Sequence, residues 1–135
     1  VDDIKGFGFK TVDEIALNLK FHTNSKERID AGVLHTMREV EEEGHTVGTE
    51  TIILEKATML LSLEPKVIRY RIHALDEAER LFGIQAYDQV LGSAYQLPVT
   101  AEAERCIAKA FIRIAQTVSI LPAFHIDAVV QWEKD

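Results

Sequence analysis

Along this chain, apolar residues recur mostly at helical spacing. Val12, Ile15, Ala16 and Leu19 share one side of a run from Thr11 to about Lys20. Thr11 followed by Glu14 matches a capping box, although the turn before it can equally start the helix one or two residues earlier. After the loop-like His22-Thr23-Asn24-Ser25, the spacing predicts a second helix over 26–43. It is capped by Asn24 or Ser25, striped by Ile29, Val33, Thr36, Met37 and Val40, and stopped at Gly44. A short extended link, His45 to Thr49, leads to a third helix over 51–61 with Ile53, Ala57, Leu60 and Leu61 inward. Pro65 suits the first turn of a fourth helix that runs to about Glu79, with Ile68, Ile72, Leu75 and Ala78 on one face.

The pattern then changes. Residues 81–84 and 90–97 read as extended, with Asp88-Gln89 in a turn between them and Pro98 ending the second run. Thr100 is placed to cap a last long helix, from Ala101 to about Val118. Its stripe is Ala103, Ile107, Ala110, Phe111, Ile114 and Val118. Residues 119–135 read as irregular, with Pro122 as a breaker. The fold class expected is mainly α: a helix-hairpin-helix-like helical bundle followed by a winged-helix-like unit with a small β-hairpin. Its divisions are 1–48, 49–98, and a linking helix and tail over 99–135.

Composition narrows the classes. At 135 residues and 47% hydrophobic content, the chain is long enough for one ordinary domain or two small ones with a real core. No stretch of about 18 uninterrupted apolar residues indicates a membrane span, and no signal peptide is visible at the start. The single cysteine, Cys106, excludes an internal disulfide, fits a reducing compartment, and is expected as a buried, inert thiol beside the last apolar stripe. Val1 in place of Met, with a glycine turn almost at the first residue, leads us to expect an excised piece of something longer. The net charge of −7 argues against coating nucleic acid by bulk electrostatics, so any DNA contact has to be local.

The residues that would make an enzyme are missing from the sequence. There is no G-x-x-x-x-G-K-[ST] loop for ATP. The histidines, at 22, 35, 45, 73 and 125, show no metal-pair spacing and no HExxH, so neither a catalytic residue nor a metal ligand is expected. Glu41, Glu42 and Glu43 point in different directions on a helix and read as a solvated helix end. Arg69 and Arg71 lie on the fourth helix, the element of a winged helix that enters a groove, and are a candidate second DNA contact. A solvent-facing pair is the rival reading.

One stretch raises a sharper question. Lys5-Gly6-Phe7-Gly8-Phe9-Lys10-Thr11 feeds directly into a helix. Glycines permit a turn that exposes backbone amides, and a helix start offers N–H groups to an anion. The amides of Gly8, Lys10 and Thr11 would be the donors, with Lys5 and Lys10 adding charge. Phe7 would plug between helices, and the role of Phe9 is open. A purely structural turn remains the rival.

Ile4 to Thr11 followed by Ile15-Ala16-x-x-Leu19 resembles the second half of a helix-hairpin-helix motif. Glu27 to Leu34, then Glu41-Glu42-Glu43-Gly44-His45-Thr46, is similar to the region before the motor of RecD/TraA-type DNA helicases with an extended N-terminal region. Tyr95-x-Leu97-Pro98 and Ala103-Glu104-x-x-Ile107-Ala108 look like that family's lead into the ATPase domain. The resemblance implies an accessory region of an ATP-dependent helicase moving 5′ to 3′ on DNA, in a bacterial cytoplasm, in repair or recombination. ATP and Mg would belong to a motor beyond residue 135, and no cofactor to this segment. The implied partners are DNA, single-stranded or at a junction and held through phosphates, and the motor of the same chain. No membrane partner is expected. The departures are a truncated first helix and Val12 where the motif often has alanine. The other reading is a docking region that packs on the motor or a partner and does not touch DNA.

Overall fold

The computed structural model describes residues 8–84 and 92–117. The expectations for Lys5, Gly6, Phe7, the Asp88-Gln89 turn, Val118 and the Pro122 tail lie outside the described residues. The chain divides into two compact units, Val1–Glu104 and Arg105–Asp135.

In the first unit, α1 (Phe9–Asn18) and α2 (Lys26–Glu42) precede the short strand β1 (Gly48–Thr49). Then follow α3 (Glu50–Leu61), α4 (Pro65–Glu77), β2 (Phe82–Gly83), β3 (Ala94–Gln96) and the start of α5 (Pro98–Gln116). The sheet is antiparallel in the order β1-β3-β2, with Gly48 opposite Tyr95 and Phe82 opposite Gln96. Two helices between a lone strand and a hairpin that closes on it give the small winged sheet beside a helical bundle.

Local chemistry accounts for the helix ends. Ser25 accepts from the Arg28 amide at the start of α2, and Thr49 accepts from the Ile52 amide at the start of α3. Gly44, at φ +94°, ends α2: its N–H reaches the Glu41 carbonyl, and the His45 N–H reaches that of Val40. Pro65 occupies the first turn of α4, where its missing N–H is not needed.

Gly8 is the N-cap of α1, so the helix begins at Phe9, the earlier start that the turn allowed, and Thr11 lies inside it rather than capping it. The last helix starts earlier than expected. Pro98 opens α5, which places Thr100 within the first turn, where its hydroxyl donates to Glu41.

The core is built from α2, α3 and α4. Ile29, Val33 and Met37 meet Ile53, Leu54, Ala57 and Leu61, and Ile68, Ile72 and Leu75 close the cluster with Leu81 and Tyr95. Every position of the α2 stripe is buried, and Gly32 brings α2 close to α3: a Cβ there would stand 2.7 Å from a Leu61 methyl. Leu54 is buried in α3 where Leu60 was expected, and Ala78 stands exposed at the end of α4. Leu60 itself is half-buried.

The stripe of α1 is not core. None of its residues is buried, and Ile15 and Leu19 are exposed. The helix turns Phe9, Val12, Ala16 and Leu17 toward α2, leaving a cleft of about 500 Å³ along that side. Spacing puts residues on a common side without saying what neighbour covers it.

In the second unit, α5 continues with Ile107, Phe111 and Ile114 exposed. Cys106 is exposed as well, contrary to the buried thiol expected, because the helix buries no residue.

Candidate nucleic-acid interface at the start of α1

Residues 8–11 set the geometry of the site. Gly8 has φ −68° and ψ 159°, an extended conformation open to any residue, and a Cβ there would meet nothing within 4 Å. No side chain caps the helix. The Thr11 N–H bonds back to the Gly8 carbonyl at 3.1 Å, and the Val12 N–H to the same oxygen at 3.3 Å. This corrects one expected donor. Because the helix starts earlier than its capping-box pattern suggested, the Thr11 amide closes the first turn. Among the described residues, the amides of Phe9 and Lys10 have no acceptor and remain for an outside group. The Lys10 and Thr11 side chains are exposed beside them.

Phe9 is a packing residue. It is half-buried against the core and stacks on His35, with ring centroids 5.2 Å apart and planes inclined by 17°. The stack pins the first turn of α1 to the middle of α2.

A second tie is polar. Arg28 of α2 grips Asp13 of α1 through two N–H groups at 2.6 and 2.8 Å, both side chains only about a tenth exposed. The same guanidinium donates to the carbonyl of Thr23 at 2.8 Å and to that of Leu61 at 3.3 Å. One side chain thereby joins α1, the following loop and the end of α3. The sequence reading missed this function of Arg28. An arginine in the first turn of an amphipathic helix was the available signal, but its partner lies 15 positions away.

Arg69 and Arg71 part company. Arg71 donates to both oxygens of Asp30 at 2.7 Å, a bond that raises its pKa, and it clamps α4 to α2 from a largely covered position. Arg69 faces outward with only its Nε on Glu50, at 2.5 Å. The glutamate run diverges as its helical phase requires. Glu41 accepts from Thr100, Glu43 holds Lys56 at 2.5 Å and raises its pKa, and Glu42 is exposed.

Among the described residues, no group of three or more His, Cys, Asp or Glu is placed to hold a metal ion, and no helix is long and apolar enough to cross a membrane. No curated protein matches the chain. Residues 1–47, which carry the glycine turn, α1 and α2, match the family described as the ATP-dependent RecD2 DNA helicase HHH domain. The RecD-type resemblance is therefore borne out over residues 1–47, which are similar to the helix-hairpin-helix domain of RecD2-type helicases.

Proposed function

We propose that this chain is a non-catalytic accessory region of a 5′–3′ DNA helicase of the RecD/TraA type, and that it grips the DNA backbone without reading sequence. The observation that carries the reading is the state of Gly8. Its φ does not require glycine, and no atom of the described residues stands within 4 Å of where its Cβ would be. An outside group approaching the backbone gives a reason for the missing side chain. The amides of Phe9 and Lys10, without an acceptor among the described residues, supply donors there, and the Lys5 and Lys10 side chains add local charge. Backbone N–H groups contact phosphate oxygens and carry no base information, which makes the grip sequence-independent. ATP and Mg belong to the motor of the full protein in this reading. The DNA form is single-stranded or a junction, and the setting is a bacterial cytoplasm.

A docking role is the second reading. Ile15, Leu19 and Phe21 near α1, and Ile107, Phe111 and Ile114 on α5, are exposed apolar residues of the kind that cover a protein partner.

Fluorescence anisotropy of labelled single-stranded DNA across a salt series separates the two. The companion variant is Gly8→Val, which the open space at Gly8 lets fold normally, as circular dichroism would verify. Salt-sensitive binding that Gly8→Val abolishes supports the phosphate grip. Undetectable binding by the unaltered chain at low salt removes the grip and leaves docking.

A further inference from the structure

We propose that the outward face of α4 is a second contact, for single-stranded DNA, in which Tyr70 stacks on a base while Lys66, Arg69 and His73 hold the flanking phosphates. It rests on the reading of this chain as a DNA-binding region, but not on the grip at Gly8.

The face is defined by what α4 buries. Ile68, Ile72 and Leu75 point into the core and Arg71 turns to Asp30, so Lys66, Arg69, Tyr70 and His73 come together on the opposite side, at i, i+3, i+4 and i+7. All four are exposed. From Pro65 to Leu75 the helix carries no carboxylate; Asp76 and Glu77 come only at its end, and the Asp76 side chain is taken by the Gly83 N–H. This basic face belongs to a chain of net charge −7.

Two details shape it for a strand of nucleotides. Tyr70 is 71% exposed, a large ring on the surface that packs on no other aromatic ring among the described residues. Glu50, itself mostly covered, holds only the Nε of Arg69. This orients the guanidinium and leaves its two Nη groups without a partner among the described residues. An arginine so braced presents a fixed pair of N–H groups, the geometry that suits a phosphate.

At 1.5 Å per residue the face from Lys66 to His73 is about 10 Å long, a span of two or three nucleotides. Exposed aromatic rings flanked by cations bind single strands because every unpaired base offers a ring face. A duplex hides those faces and presents a dense charge that the acidic remainder of this chain opposes.

The test is anisotropy with a labelled oligo-dT and with a duplex of equal length, using the 135-residue chain and the variants Tyr70→Ala, Lys66→Gln and Gly8→Val. Tyr70 and Lys66 are exposed, so neither change disturbs the core, and unchanged melting curves verify it. Tyr70→Ala is expected to weaken oligo-dT binding by about 5-fold or more with little change in salt slope. Lys66→Gln is expected to lower the slope by about 0.7. Wild-type affinity in both variants overturns the proposal, whatever Gly8→Val does, and so does tighter binding of the duplex with Tyr70→Ala without effect. If Gly8→Val is harmless while the α4 variants weaken binding, the α1 grip falls and the α4 contact stands. A chain that binds neither DNA at low salt overturns both.

Discussion

α1 and the α2–α3–α4 core are held by different forces, although α1 and α2 both lie within the RecD2 helicase match. The core excludes water from a continuous apolar cluster, in which Val33, Met37, Ile53, Ala57, Ile68, Ile72 and Leu81 are fully covered. α1 buries no residue. It is attached by the Asp13–Arg28 pair and by the Phe9–His35 stack. Apolar burial is distributed over many atoms and tolerates local loss, whereas a paired charge concentrates its effect in one contact. The segment that carries the candidate phosphate site is thus held by half-buried contacts and two specific ties, and it is expected to loosen before the bundle unfolds.

Arg28→Ala should have the largest effect. It strands Asp13 in a largely covered place and strips donors from the carbonyls of Thr23 and Leu61. Breaking a covered pair from one side costs about 3–5 kcal/mol. Amide hydrogen exchange should show protection lost first across α1. Protection that falls equally in α1 and α4 would contradict the division drawn here.

Ile53→Ala comes next. It empties space between α2 and α3 and should cost about 2–5 kcal/mol by chemical denaturation. Here the loss should appear in the whole α2–α4 unit together. An effect confined to α3 would mean that the core is not one cooperative cluster.

The smallest expected effect concerns the start of α5, within the first unit. Glu104 accepts from the Gln96 amide at 2.8 Å. That bond first, and the Thr46 hydroxyl second, hold its carboxyl below the ordinary value of 4.5. The ionised form therefore favours the folded state. Its contribution is present above 4.5 and is lost as pH falls through the depressed folded-state value. The stability difference between the wild-type chain and Glu104→Gln should be small at neutral pH and vanish in acid. A difference that persists at pH 3 would show that the hydrogen bonds do not depend on the charge.

Much of the fold was legible in the sequence because amphipathic helices carry their own period. α2 and α4 declare their buried faces through Ile29, Val33, Met37 and Val40, and through Ile68, Ile72 and Leu75. Gly44 and Pro65 mark ends by local backbone chemistry. Ala94 to Gln96 of the hairpin also fell inside a run read as extended. The candidate site was legible as a place, not as a set of donors. The glycine turn announces a helix start, but only the position of that start decides which amides are used, and a start at Phe9 places the Thr11 amide in the first-turn hydrogen bonding of the helix.

What the amino-acid order determined is the list of elements and the location of the glycine turn, because both follow from interactions between residues a few positions apart. Tertiary structure decided the pairings. Asp13 with Arg28 and Asp30 with Arg71 join residues 15 and 41 positions apart, and no periodicity encodes such a separation. It also decided that Arg71 turns inward while Arg69 faces out, and that α1 and α5 bury no residue where the stripes of α2 and α4 are buried. Amphipathic spacing specifies that a helix has an apolar face; only the arrival of a neighbouring element determines whether that face becomes core.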